Sequence, residues 1–314
     1  MEAGSLEGLV PVTVVAGYLG AGKTTLINEL LAQDHGRRLA VLVNDFGAVN
    51  IDAALIAEHT GQTVSLKNGC VCCSIVDELG DALDEVLALE PAPDQIVIEA
   101  SGVADPAKVA AYGQGWPGCR LDAVIVLADA ETVQARSRDQ FVGELVIRQL
   151  RRADVVLVTK CDLVSESELT GVAAWLADEA PGAATLTRHA GRLDAALLLE
   201  AGRAVEGTSP QALGSDNGSA SAIFDSTVIE VGCALDQGRV EAVLRDWPES
   251  VVRVKGVVRF RGHENGLHVV QRVGRRWSIE EAPASVDSSR IGKLMVLGLR
   301  GSLRHQDLTA SLLG

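Results

Sequence analysis

Gly17-Tyr18-Leu19-Gly20-Ala21-Gly22-Lys23-Thr24-Thr25 is the stretch whose reading decides the fold. It follows an apolar, β-type run at residues 10–16 and opens an amphipathic stretch at 24–32, in which Leu26, Ile27, Leu30 and Leu31 recur at helical spacing. Strand, glycine-rich loop and helix in that order are the context a phosphate-binding P-loop needs. Gly17, Gly20 and Gly22 let successive backbone N–H groups turn inward on the β- and γ-phosphates, and the helix N-terminus adds the positive end of its dipole. Lys23, read as a counter-charge on a surface loop, is expected to reach the terminal phosphates, and Thr24 to place its hydroxyl on Mg²⁺. The expected nucleotide-binding set here is Gly20, Ala21, Gly22, Lys23, Thr24 and Thr25.

Outward from that loop, short apolar runs at 39–43, 95–99, 123–128 and 155–159 alternate with helical segments at 77–89, 141–152, 166–178 and 193–200. This alternation predicts an α/β, doubly wound, mainly parallel sheet of P-loop NTPase type over residues 1–204, with ligands at the carboxyl ends of the strands. Residues 205–222 are rich in Gly, Ser and turn formers and read as a linker. Beyond it, strands at 227–231, 250–260, 267–273, 277–280 and 293–299, a turn at 263–266, and helices at 237–246 and 303–313 predict a smaller α+β domain with an antiparallel sheet over 223–314.

The run at 155–159 ends in Thr159-Lys160-Cys161-Asp162. In P-loop GTPases a loop of this pattern reads guanine: the Asp162 carboxylate accepts from the N1–H and 2-amino group, and the Lys160 stem lies over the base. Adenine offers no such donor pair, and a carboxylate left unpartnered in the site discriminates against it. Thr159, Lys160 and Asp162 therefore join the nucleotide set, and GTP is expected over ATP.

Composition narrows the partners. The 314 residues carry a formal charge of −14 and a sequence pI near 4.9, a balance that repels nucleic acid and anionic lipid. No apolar run reaches the roughly 18 residues of a membrane span, and the N-terminal stretch carries Glu2 and Glu7 rather than a basic start. A cytoplasmic location is expected, with neither nucleic acid nor membrane as partner. Of the six cysteines, Cys70, Cys72 and Cys73 crowd into Asn68-Gly69-Cys70-Val71-Cys72-Cys73-Ser74, where adjacent thiols make poor disulfide geometry. Three thiolates in a polar, turn-rich setting suit Zn²⁺ or another divalent transition ion, with a fourth position open. Cys119, Cys161 and Cys233 are assigned to packing, and the six scattered histidines are not read as ligands.

Taken together, the chain resembles the CobW-type family of P-loop GTPases, a metallochaperone group that includes nitrile hydratase activators and is related to the nickel-insertion GTPases of hydrogenase and urease. The residues carrying the resemblance are Gly17 to Thr25, Asn44-Asp45-Phe46-Gly47 with Ile51-Asp52, the Cys70 to Cys73 motif, Ile98-Glu99-Ala100-Ser101-Gly102 followed by Asp105-Pro106, the Thr159 to Asp162 loop, and Arg253-Val254-Lys255-Gly256. The resemblance implies that Glu99 and Gly102 form a Glu-x-x-Gly element near the γ-phosphate and Mg²⁺. It also implies that the segment from Asp45 to Asp52 belongs to the first switch. Lys23, Glu99 and Asp45 are the expected catalytic residues, and Cys70, Cys72, Cys73 and, for Mg²⁺, Thr24 the expected metal ligands.

In two respects the chain departs from the family's pattern. Asp45, Ala48 and Asn50 stand where Glu, Glu and Gly are usual, and no His-rich tract is present. Storage of several ions is therefore not expected. The implied activity is GTP hydrolysis to GDP and phosphate, coupled to delivery of Zn²⁺, Co²⁺, Fe²⁺ or Ni²⁺ to a client metalloprotein. A metal sensor or buffer holding GTP as a structural ligand is the alternative. A homodimer stays open.

Overall fold

A strand with no polar face is buried only when helices cover both sides of its sheet. β1 (Val10–Gly17) is such a strand: all eight of its residues are buried in the computed structural model, which describes residues 9–33, 37–43, 63–65, 75–188, 224–248, 250–282, 291–299 and 301–313. The chain divides into two compact units, Leu9–Glu200 and a second made chiefly of Ala201–Gly314.

In the first unit β1 is followed by α1 (Lys23–Leu31), β2 (Leu39–Val43), β3 (Thr63–Ser65), α2 (Ile75–Leu87) and β4 (Gln95–Glu99). Then come α3 (Pro106–Gly115), β5 (Cys119–Asp129), α4 (Val133–Ser137), α5 (Gly143–Arg151), β6 (Val155–Thr159), α6 (Glu166–Glu179) and β7 (Ala184–Thr187). The strands form one parallel sheet in the order β3-β2-β4-β1-β5-β6-β7. The chain fills one side of β1 with β2, β3 and β4, then crosses to fill the other. The order therefore reverses beside β1, and a crevice opens at its carboxyl end.

Val12, Val14 and Val15 of β1, Ile96 and Ile98 of β4 and Val156 and Val158 of β6 are wholly buried, each side chain contributing about 1.5–3 kcal/mol. At the other end of the sheet, Gln95 Nε2 donates to Thr13 Oγ1 at 2.7 Å and Thr13 Oγ1 donates to Asp122 Oδ2 at 3.3 Å, which satisfies polar groups buried among those valines.

The helix boundaries follow local signals. Asp105 accepts from Ala107 N at 2.9 Å and Pro106 opens α3 with its φ already set, while Ser165 and Glu168 close a capping box on α6. The runs expected at 39–43, 95–99 and 155–159 are strands with those bounds, and the run at 123–128 extends to Cys119–Asp129. β3, α3, α4 and β7 add to the expected elements. The helix expected at 193–200 and the linker at 205–222 lie outside the described residues.

The second unit is an antiparallel sheet in the order β11-β10-β9-β12-β8, built from β8 (Phe224–Glu230), β9 (Val251–Phe260), β10 (His263–Val273), β11 (Arg276–Glu281) and β12 (Lys293–Leu299). Helices α7 (Gln237–Asp246) and α8 (His305–Leu313) supply Val240, Leu244, Leu308 and Leu312 to a core with Val254, Val258, Phe260, Val270 and Val296. Residues 263–266, expected as a turn, belong instead to β10. They are taken up by a shift in its register on β9 between His263 and His268. The fully buried Arg272 guanidinium donates to the carbonyls of Val251 and Trp247, which pins β10 to the end of α7 and the start of β9. Among the described residues no helix is long and apolar enough to cross a membrane.

Candidate nucleotide site

The phosphate loop leaves β1 at Gly17, whose φ is +137°, and a Cβ there would lie 2.5 Å from the Leu127 carbonyl oxygen of β5, so only glycine permits this approach. The loop turns on a hydrogen bond from Ala21 N to Tyr18 O at 3.1 Å and enters α1 through Gly22, left-handed at φ +96°. Lys23 is not on the surface. It is 8% exposed, and its ammonium folds back to donate to Gly17 O at 3.1 Å and Tyr18 O at 3.5 Å, so the charge is held over the loop. Thr25 is exposed beside it.

β4 carries Glu99 to the same crevice. Glu99 is 2% exposed and accepts from Thr24 Oγ1 at 3.0 Å, which brings a hydroxyl and a carboxylate oxygen together at the head of α1. After it, Ala100 N donates to Val15 O of β1 at 2.8 Å and Ala104 N to Ser101 O at 2.9 Å, forming the turn that holds Gly102. A Cβ on Gly102 would lie 2.5 Å from Leu19 Cδ2 and 2.8 Å from Leu19 N, so the acid–glycine turn rests on the phosphate loop. The Gly102 and Ala104 carbonyls accept from Gln149 Nε2 of α5 at 3.2 and 2.9 Å.

On the other side of β1, Thr159 Oγ1 donates to the Ala21 carbonyl at 2.9 Å and ties the end of β6 to the phosphate loop. Lys160 takes a left-handed φ of +56°, uncommon for a side-chain-bearing residue, and its ammonium donates to Asp129 Oδ2 at 2.8 Å. The head is thus anchored on β5 while the residue lines the cleft. Asp162 is exposed at the cleft's rim. Ala21, Gly22, Thr25, Thr159, Lys160, Asp162 and Arg188 surround this open cleft of about 220 Å³, which joins the two sequence motifs. Arg188 was not expected. It follows β7, and its guanidinium pairs with both oxygens of Glu29 on α1. The only cue to it is a short strand with one large apolar residue, Leu186.

Asp45, Cys70, Cys72 and Cys73 lie outside the described residues, and among the described ones no group of three or more His, Cys, Asp or Glu gathers to hold a metal ion. Cys119 and Cys161 are buried in the core of the first unit, in keeping with packing. Burial, with some help from the Asp84 charge, pushes the Cys119 thiol up to about 11, and burial also raises Cys161. Both stay protonated at neutral pH and so are poor metal ligands. Cys233, also assigned to packing, is exposed.

Residues 11–187 match the family described as CobW/HypB/UreG, nucleotide-binding domain, and residues 224–314 match the cobalamin synthesis protein cobW C-terminal domain. The zinc chaperone CobW of a Sinorhizobium species is 30% identical over 312 residues, covering 86% of this chain and 87% of that one. The zinc chaperone CobW of Pseudomonas aeruginosa is 35% identical over 223 residues, covering 60% of this chain and 59% of the relative's length. The zinc chaperone YjiA of Escherichia coli is 38% identical over 167 residues, 51% of this chain and 52% of that one. The solved structure of the Zn(II)-bound YjiA GTPase from E. coli covers 96% of this chain and 98% of its own at 22% identity, with a TM-score of 0.43.

Proposed function

The chain belongs to the CobW/HypB/UreG nucleotide-binding family, and from that premise we propose that it is a GTPase metallochaperone, binding one divalent transition ion at Cys70, Cys72 and Cys73 and passing it to a client metalloprotein. The observation that carries the nucleotide half of this reading is the cleft in which Ala21, Gly22 and Thr25 meet Thr159, Lys160 and Asp162, with Thr159 hydrogen-bonded to the loop itself. A ligand with phosphates at one end and a donor-rich purine edge at the other fits that arrangement.

In this reading the loop N–H groups from Gly20 to Thr25 hold the phosphates, and Lys23 offsets the charge that grows on the leaving oxygens during hydrolysis. The Thr24 hydroxyl and Glu99 carboxylate, 3.0 Å apart, form a hard oxygen donor pair that fits Mg²⁺. Mg²⁺ supplies neutralisation of the phosphate oxygens. Asp45, of the first switch segment, is the third catalytic residue of this reading, and Gly102 presents its N–H toward the γ-phosphate. Asp162 selects guanine.

Three thiolates and the relatives named zinc chaperones favour Zn²⁺ as the cargo, with Co²⁺, Fe²⁺ and Ni²⁺ compatible with the same donors. Residues 1–204 form the nucleotide domain, 205–222 the linker and 223–314 the domain that contacts the client. The reaction takes place in the cytoplasm.

The cysteines stand in sequence between the segment from Asn44 to Asp52 and the Glu99–Gly102 turn, so a nucleotide that orders both alters the metal site. Binding must then be coupled reciprocally, by about 1–3 kcal/mol. Competition titration of Zn²⁺ with the protein loaded with a non-hydrolysable GTP analogue or with GDP tests this. A several-fold difference in metal affinity supports delivery. Equal affinities overturn it in favour of a metal sensor or buffer, and no stoichiometric binding returns the cysteines to a structural role.

A further inference from the structure

The buried face of α5 presents Gly143, Val146, Gln149 and Leu150 inward, and among them Gln149 is the one long polar side chain, 1% exposed. An amide in an apolar setting costs free energy unless its donors are met. Gln149 meets them at a specific place, the Gly102 and Ala104 carbonyls at 3.2 and 2.9 Å, which lie 47 and 45 residues away in the chain. Those carbonyls flank the exposed Val103, on the turn that follows Glu99. Glycine is the residue whose backbone rotates most readily, so a turn built on Gly102 and closed by one internal hydrogen bond, Ala104 N to Ser101 O, gains from support outside it. Leu19 of the phosphate loop supports one side of Gly102, and Gln149 grips the two carbonyls beyond it.

We propose that Gln149 is a positioning residue for GTP hydrolysis: by clamping the Gly102 and Ala104 carbonyls it fixes the Gly102 N–H and Glu99 relative to the phosphate loop. The inference rests on the GTPase reading above and names a residue outside the motifs that carry it. Gln149 does not line the cleft around Asp162; it shares a separate small cavity with Tyr18, Leu19 and Ala21, beside the phosphate loop. Its loss should therefore slow turnover without weakening nucleotide binding.

Gln149→Met keeps the side-chain length and removes both donors. Val146→Ala, one turn earlier on the same buried face, loosens the packing and leaves the carbonyls clamped. Steady-state hydrolysis and the Kd of a fluorescent GDP are measured for both variants and the wild type, with melting temperatures alongside. The expected result is a tenfold or greater fall in kcat for Gln149→Met at a GDP Kd within about twofold of wild type, while Val146→Ala melts earlier and retains its kcat. Wild-type turnover by Gln149→Met overturns the proposal. So does an equal loss of turnover in Val146→Ala, which would make the effect one of stability alone. Absence of GTP turnover in the wild type itself is a different failure and removes the GTPase reading beneath.

Discussion

Replacing Gly102 by alanine adds one carbon at a point where the structure has no room for it. That Cβ would sit 2.5 Å from Leu19 Cδ2, 2.8 Å from Leu19 Cγ and 2.8 Å from the Leu19 backbone nitrogen. Leu19 is 60% exposed, so its side chain can swing into solvent and relieve the first two contacts cheaply. The third is backbone. To reach ordinary van der Waals distance, the phosphate loop and the acid–glycine turn must part by several tenths of an ångström. Overpacking of this kind costs about 1–3 kcal/mol.

Both halves of the strained contact belong to the proposed catalytic apparatus, so the cost should appear in turnover more than in melting temperature. At a factor of ten for each 1.4 kcal/mol, kcat should fall by roughly 5- to 150-fold. The same reasoning predicts that Leu19→Ala on top of Gly102→Ala recovers little, because it removes side-chain atoms and leaves the backbone nitrogen. Steady-state GTP hydrolysis of the two variants decides the matter. Turnover equal to wild type in Gly102→Ala, or full recovery in the double variant, would refute the argument that backbone proximity at Leu19 sets the geometry.

Two further expectations follow from the cleft and the core. Asp162→Asn should weaken GTP and relax its preference over xanthosine triphosphate, whose carbonyl at position 2 suits an amide donor; competition binding with both nucleotides reads this, and a wild type that binds ATP as well as GTP would show the guanine assignment wrong. Cys119, whose thiol is pushed from 9.0 to about 11 by burial, contributes stability that is fully present below pH 9 and lost as pH rises through about 11, because the unfolded thiol ionises first. Two units correspond to about 2–3 kcal/mol. In urea unfolding between pH 8 and 11 the wild type should therefore lose more stability than Cys119→Ala, and parallel losses would contradict the assignment.

What could be read from the chain follows from how much local information each element carries. β1 and α1 were legible because a glycine-rich loop with Lys23 sits between a seven-residue apolar run and a helical repeat. Strands β2, β4 and β6 were legible because buried parallel strands are continuous apolar runs. β3 and β7 were not, since Thr63–Ser65 and Ala184–Thr187 are too short and too polar to show a period. Arg188 went unread with β7.

α3 was missed although Asp105-Pro106 is a helix start, because its run of Ala and Gly gives almost no apolar stripe. In sequence Lys23 reads as a counter-charge on a surface loop. Its burial comes from the fold-back onto Gly17 and Tyr18, a tertiary fact. Gln149 carries no motif at all, and its partners are distant in sequence. Local pattern thus picks out the residues proposed to bind, and only packing shows what holds them in place.

The sheet's centre and its β3 margin are unequal. β1 is bonded to neighbours on both sides, through four residue pairs with β4 and eight with β5, whereas β3 hangs from β2 by three pairs. The segment bearing Cys70, Cys72 and Cys73 begins where β3 ends. Peeling β3 away would sacrifice a few peptide hydrogen bonds and leave the valine core around β1 and β6 sealed. In an isotope-exchange experiment the amides of Thr63, Val64 and Ser65 should therefore take up deuterium long before those of β4. The cysteines proposed to hold the metal thus follow, in sequence, an edge strand that opens at less expense than the centre of the sheet, an arrangement in which a load can be let go while the core stays folded.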